Sequence, residues 1–233
     1  MTRNTPLAAR AAVLSPAIPG SAPLAAAVVL PALLLAAALC AALAPAQALA
    51  QTRVSAPDGS WSLTLPSDWV RIPALELYLR EHPGASGPLS PEDFARFKTS
   101  RDAFQRQAEG WFVLPWLLVS LDDKRRTTQD LFMDHVLAER DHESDADRNG
   151  ARFLDKEHEP GKRMHHYSTS GYDPVAGRRV RTTVYTFLTA RGFLRLTWRV
   201  GEEQYPALED AVRRASQSLT LSPQLQYQQE KRP

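Results

Sequence analysis

The sequence predicts an α+β fold built on an antiparallel sheet. Two observations carry this expectation. Four strand-patterned segments, near residues 151–157, 163–172, 177–190 and 192–200, follow one another with only short turns between them. Hairpin connections of that kind make neighbouring strands antiparallel. Helical patterns are grouped before and after this run and do not alternate with its strands, which is the arrangement of α+β and not of repeated βαβ units.

The chain opens with a leader. Arg3 and Arg10 are the only charged residues before Gln51, and an apolar run from Leu24 to Leu43 is interrupted only by Pro31. Ala44-Pro45-Ala46-Gln47-Ala48-Leu49-Ala50 follows. A positive start, an apolar middle and a small-x-small exit describe a secretory signal peptide spanning residues 1–50, cut after Ala50 with Ala48 two positions before it. About 20 apolar residues also suffice to span a bilayer, so an uncleaved anchor is the rival reading. Alanine dominates the run and drives insertion weakly, which favours cleavage. Leu39 before Cys40 and Ala41-Ala42-Leu43 after it do not suit a lipoprotein signal. The expected location is periplasmic or secreted, with no stable membrane insertion after cleavage. The mature chain would then hold no cysteine, which excludes disulfides, thiol catalysis and cysteine zinc sites.

Within the remainder, Trp61, Leu63 and Leu65 alternate with Ser60, Ser62 and Thr64, a strand with one buried face that ends at Pro66. Val70 and Ile72 resume an extended segment. Residues 74–82 read as a helix with Leu75, Tyr78 and Leu79 on one side, followed by a loop at Pro83 to Pro88. Ser90, Pro91, Glu92 and Asp93 start a second helix through an N-cap, a proline in the first turn and early acids. Phe94, Phe97, Phe104 and Ala108 fall on one stripe of it, and Gly110 closes it. Trp111 to Leu121 is nearly continuously apolar and reads as a central strand, with a bulge or edge at Pro115. A third helix is expected from about Thr127 to Glu143, with Leu131, Phe132 or Met133, Val136 and Leu137 inward. After the four strands, Tyr205, Leu208, Val212, Ala215 and Leu219 recur at helical spacing over about 204–218. Ser222 to Pro233, rich in glutamine and charge, reads as a disordered polar tail.

The stretch Asp58-Gly59-Ser60-Trp61-Ser62-Leu63-Thr64-Leu65-Pro66-Ser67-Asp68-Trp69 resembles the strand-Pro-x-x-Trp opening of PsbP-like proteins. The ending is similar too: Thr183, Tyr185 and Phe187 share a strand face, Arg191-Gly192 turns, Leu194 and Leu196 follow, and a helix closes on Ser216 and Leu219. The resemblance covers most of residues 52–221. It implies an α/β/α sandwich, an antiparallel sheet of about six strands flanked by helices, as a single domain over 51–221. The superfamily includes photosystem II extrinsic proteins, Ran-binding release factors and bacterial envelope proteins, and it implies non-catalytic service to a partner. No functional residue of the family maps onto this sequence.

Charge and motifs bound the function. The whole chain of 233 residues has a formal net charge of +2; without Arg3 and Arg10, the 28 Lys+Arg fall to 26, equal to the 26 Asp+Glu. A neutral chain does not suit a broad nucleic-acid or anionic-membrane surface. Lys124-Arg125-Arg126 and the cluster Arg178, Arg179 and Arg181 read as solvated loop or strand ends. Asp145, Asp147 and Asn149, followed by Gly150, match the first half of a calcium loop, with oxygen donors at alternate positions. Arg152 and Lys156 stand where the second half wants an aliphatic residue and a bidentate glutamate; no cofactor is expected beyond a calcium ion, and the metal-binding alternative is calcium or zinc. His135, His142, His158, His165 and His166 lack a zinc spacing, and neighbours His165 and His166 point to opposite strand faces. Neither G-x-S-x-G nor S-x-x-K occurs, and Ser168 and Ser170 lie on an ordinary strand. A hydrolase would need a pocket gathering His165 or His166 with Ser168. Of the five tryptophans, Trp69 follows a turn and is the candidate partner-binding residue. The expectation is an exported, non-catalytic module that binds an envelope protein or component; metal binding and a cryptic hydrolase are the alternatives.

Overall fold

The computed structural model describes residues 50–84, 90–123, 132–133 and 150–228. The chain divides into two units, Met1–Ala48 and Leu49–Pro233, and the described residues all belong to the second.

Its elements are β1 (Gln51–Ser55), β2 (Trp61–Pro66), β3 (Trp69–Arg71), α1 (Ala74–Glu81), α2 (Pro91–Ser100), β4 (Arg101–Arg106), β5 (Trp116–Asp123), β6 (Arg152–Glu159), β7 (Met164–Asp173), β8 (Arg178–Leu188), β9 (Gly192–Gly201), α3 (Tyr205–Gln217) and β10 (Thr220–Leu221). Seven strands form one sheet in the order β3-β4-β5-β9-β8-β7-β6, and β1-β2-β10 form a second. All the pairings are antiparallel. The fold is an α+β sandwich. The expected sheet of about six strands is larger, with seven, and the small sheet is additional to it.

Residue alternation sorts the two faces of the large sheet. In β4, Ala103 packs with Ile72, Leu77 and Phe97 beneath α1 and α2, while the next residue, Phe104, packs with Trp61 and Leu196 on the α3 side. In β9, Leu194, Leu196, Trp198 and Val200 are at most 1% exposed and meet β2 and α3. The alternation predicted for β9 is therefore present, as are the four consecutive strands. Ser90 caps α2, accepting from the Asp93 amide at 3.4 Å, with Pro91 in the first turn as expected.

Several boundaries differ from the sequence reading. The helix expected to reach Ala108 stops at Ser100, and Arg101 turns extended at φ −137°. Thr99 and Ser100 donate their hydroxyls back to the Arg96 carbonyl at 2.8 and 3.2 Å, and the Arg101 amide still reaches the Phe97 carbonyl before the chain pairs with β5. Phe104 consequently lies on a strand and not on the stripe with Phe94 and Phe97. The strand expected from Trp111 starts at Trp116, because residues 107–115 form a loop. In α1, Leu77 is the buried residue while Leu75 and Leu79 face solvent. Of the helix expected over 127–143 only Phe132 and Met133 are described, both helical; Phe132 is fully buried and Met133 exposed. The remainder lies outside the described residues. Ser222 to Gln228, read as tail, are packed: Leu225 is buried, its carbonyl accepts from the Ala190 amide at 3.0 Å, and Gln226 bridges to Thr189. Leu225 and the partly buried Tyr227 anchor them. Among the described residues no helix is long and apolar enough to cross a membrane.

Candidate functional site

A crevice opens where α3 stops covering the large sheet. Two cross-strand rows run through it on the α3 face: Asp155, Ser168, Thr183 and Trp198, and Glu157, His166, Tyr185 and Leu196. Each row passes from a carboxylate at the β6 edge to an apolar side chain in the core. α3 supplies Tyr205, Glu209 and Arg213 on the opposite wall. The cavity measures about 210 Å³.

Arg181 organises the floor. Its guanidinium lies 3.8 Å from the centre of the Tyr205 ring. Its Nη2 donates to Asp155 Oδ2 at 2.6 Å and to Ser168 Oγ at 3.4 Å. Ser168 and Thr183 share a hydroxyl contact at 3.1 Å. His166 stacks on Tyr185, ring centres 4.9 Å apart, with Nε2 and Nδ1 each 3.8 Å from Asp155 Oδ1 and Glu157 Oε2 respectively. Burial, with Tyr205 and Asp155 adding to it, pushes the Tyr185 hydroxyl up to about 12, so it stays protonated and can donate. Three buried polar atoms of the crevice have no hydrogen-bond partner among the described residues: Asp155 Oδ1, His166 Nδ1 and Arg181 Nε. Buried polar atoms are normally satisfied, so unspent capacity gathered in one cavity is a place for a ligand.

The crevice brings His166 and Ser168 together on one wall, two residues apart on β7. It does not join them: Ser168 is engaged with Thr183 and Arg181, and no hydrogen bond links it to His166. His165 points to the other face, beside His158 at 6.4 Å between ring centres. Burial, then the neighbouring His158 and His166, hold its imidazole down to about 4.

Trp69 is half-buried and meets Trp198 edge-on at 5.4 Å. It borders a small apolar cleft with Pro66, Pro115 and Leu208, away from the crevice. Trp111, expected in a buried strand, is 43% exposed. Gly110 before it and Pro115 after it were the signals that it lies on a loop. The crevice itself escaped sequence reasoning because its residues lie on four separate elements; the alternation of Asp155, Glu157 and Glu159 on one strand was the available hint. Asp145, Asp147, Asn149, His135, His142 and Ala48 lie outside the described residues, and Ala50 is exposed. Among the described residues no group of three or more histidine, cysteine or acidic side chains is gathered for a metal.

No protein-family model and no curated protein matches the chain. Among solved structures it is similar to cyanobacterial PsbP (CyanoP) from Synechocystis sp. PCC 6803, at 12% identity over 76% of this chain and 96% of that one, with a TM-score of 0.46. It is similar to a Mog1 mutant at 10% identity over 74% and 96%, TM-score 0.40. A third is LpqN, involved in cell envelope biogenesis of Mycobacterium tuberculosis, at 13% identity over 75% and 91%, TM-score 0.42. These have the PsbP/Mog1-like fold that the sequence resembles. None of the three informs the chemistry of the crevice, which rests on its own residues.

Proposed function

We propose that this chain is an exported accessory module that binds a protein partner of the cell envelope through the crevice between α3 and the β6–β8 edge, without chemistry. The observation that carries the reading is the set of three buried polar atoms, Asp155 Oδ1, His166 Nδ1 and Arg181 Nε, that have no hydrogen-bond partner among the described residues and belong to residues lining one cavity. A partner that satisfies them recovers the desolvation cost already incurred. The state of Ser168 supports binding over hydrolysis. A serine nucleophile needs a base at hydrogen-bond distance, and here Ser168 Oγ contacts Thr183 Oγ1 at 3.1 Å and accepts from Arg181 at 3.4 Å, with no hydrogen bond to His166. Export is supported by Arg3, Arg10, the apolar run and the Ala48-x-Ala50 exit.

The test is capture of the tagged full chain from its own host after mild cross-linking, read by mass spectrometry and repeated with His166→Ala and Glu209→Ala. The expected result is one dominant envelope protein, lost or strongly reduced in both variants while their melting temperatures match the parent. Retention of the same partner by both variants would overturn the assignment of the crevice. Turnover of any substrate by the purified protein, abolished by Ser168→Ala, would overturn the non-catalytic reading.

A further inference from the structure

The large sheet has two edges, and they differ. β3 is three residues long, whereas β6 has eight and β7 is its sole strand partner among the described residues. A strand edge of that length without a partner among the described residues is a template for another strand. β6 also forms the rim of the crevice, with Asp155, Glu157 and Glu159 entering its lining at alternate positions.

The charges on that rim select among occupants. A second copy of β6 laid antiparallel against it would set carboxylate opposite carboxylate on the crevice face, which is destabilising. A strand with lysine or arginine at every second position places opposite charges there instead. The existing pairs leave the middle position open. Asp155 Oδ2 is held by Arg181 at 2.6 Å and Glu159 by Lys162 at 2.6 Å. Glu157 has only the His166 imidazole, at 3.8 Å, and Glu209 on the facing wall enters no ion pair among the described residues. Glu157 and Glu209 both line the cavity of about 210 Å³, a volume that admits one long side chain.

We infer that the β6 edge receives an extended segment of a partner protein, bearing lysine or arginine at alternate positions, as an eighth strand of the sheet, with one basic side chain entering the crevice between Glu157 and Glu209. Main-chain pairing supplies the attachment and the alternate side chains supply the selectivity, the usual division of labour when a strand is added to a sheet. The inference rests on the crevice being a protein-binding site, and it names what that site selects.

The probes are fluorescent synthetic peptides titrated against the full chain by anisotropy: Thr-Lys-Val-Lys-Thr-Lys-Val, the same composition with its lysines in one block, the version with glutamate for lysine, and an alternating-lysine version N-methylated at every second amide. The alternating-lysine peptide should bind at least about tenfold more tightly than each of the others. The double variant Glu157→Gln, Glu209→Gln should weaken it by a similar factor with no change in melting temperature. Equal binding of the blocked-lysine or the N-methylated peptide would overturn strand addition, leaving charge attraction alone. Failure of every peptide at about 1 mM would overturn the inference as well. Capture of a native partner lost in His166→Ala and Glu209→Ala would still stand in that case, so the two readings fail separately.

Discussion

Gln105 has no solvent exposure, yet both ends of its amide serve a surface loop. Nε2 donates to the Gly110 carbonyl at 2.8 Å and Oε1 accepts the Phe112 amide at 2.6 Å. This clamp holds Phe112 at φ 61°, a left-handed conformation that side-chain-bearing residues avoid. It turns the Phe112 ring onto Trp116 and Arg80 and leaves Trp111 and Val113 exposed. Gln105→Leu should cost about 1–3 kcal/mol in a urea titration, because two partly buried backbone groups lose their partners, and should redden Trp111 emission. A second residue-scale prediction concerns acid. His165 takes its proton at about 4 in the fold against 6.5 unfolded, so its contribution to stability is full above pH 6.5 and is lost as pH falls toward 4. Asp102 runs the other way. Burial raises it from 3.8 to about 6 despite Arg71 at 3.1 Å, so acidification from about 6 toward 4 stabilises the fold. The two oppose each other over the same window. His165→Phe should therefore gain stability as pH falls from about 6 to 5, and Asp102→Asn should lose it more steeply than the parent, both read as urea midpoints. Neither the clamp nor the opposed pair was legible in the sequence. Gln105 looks like an ordinary polar residue in a helix pattern, and nothing local says that Asp102 or His165 will be buried.

Elements show where local pattern is sufficient and where it is not. β6 to β9 and α3 were legible because their strand and helix patterns are separated by clear turn residues, although β6 shifts register between Phe153 and Asp155. The α2–β4 junction was not, because Phe94, Phe97 and Phe104 satisfy helical spacing by coincidence, while from Arg101 onward the chain pairs with β5, a contact that no local pattern reports. Docking of α3 also depends on a contact invisible in either element alone. Trp198 of β9 donates its indole N–H to Ser216 Oγ at 2.8 Å, both residues being buried. Ser216→Ala should destabilise by about 1–3 kcal/mol, since the indole is left with a buried, unsatisfied donor. In a Trp198→Phe background the same substitution should cost close to nothing. A denaturant double-mutant cycle measures that coupling, and additive losses would show that the hydrogen bond contributes nothing.

At the scale of the whole molecule, the fold class and the antiparallel order followed from which patterns are neighbours in the sequence, and the second sheet did not, because it joins segments that are far apart. β2 pairs with β1 on one side and with β10 on the other, Ser62 opposite Thr220 and Trp61 opposite Leu221. The Thr64 amide donates to Ser218 Oγ at 2.8 Å across 154 positions of chain. Leu225 and the Tyr227 carbonyl, which accepts from Arg163 at 2.8 Å, extend that closure. A chain ending at Ser222 should accordingly melt lower than one ending at Gln228, by an amount consistent with the ~2–3 kcal/mol of burying one leucine; equal melting would show that the segment contributes nothing. The pairing of β2 with β10 also has a consequence in time. A ribosome delivers β2 first and β10 about last, so the strand beside Trp61 stays vacant until Leu221 emerges, and such long-range closure is slow. During that interval β2 can pair with β1 alone, so the small sheet closes only once nearly the whole chain has been made.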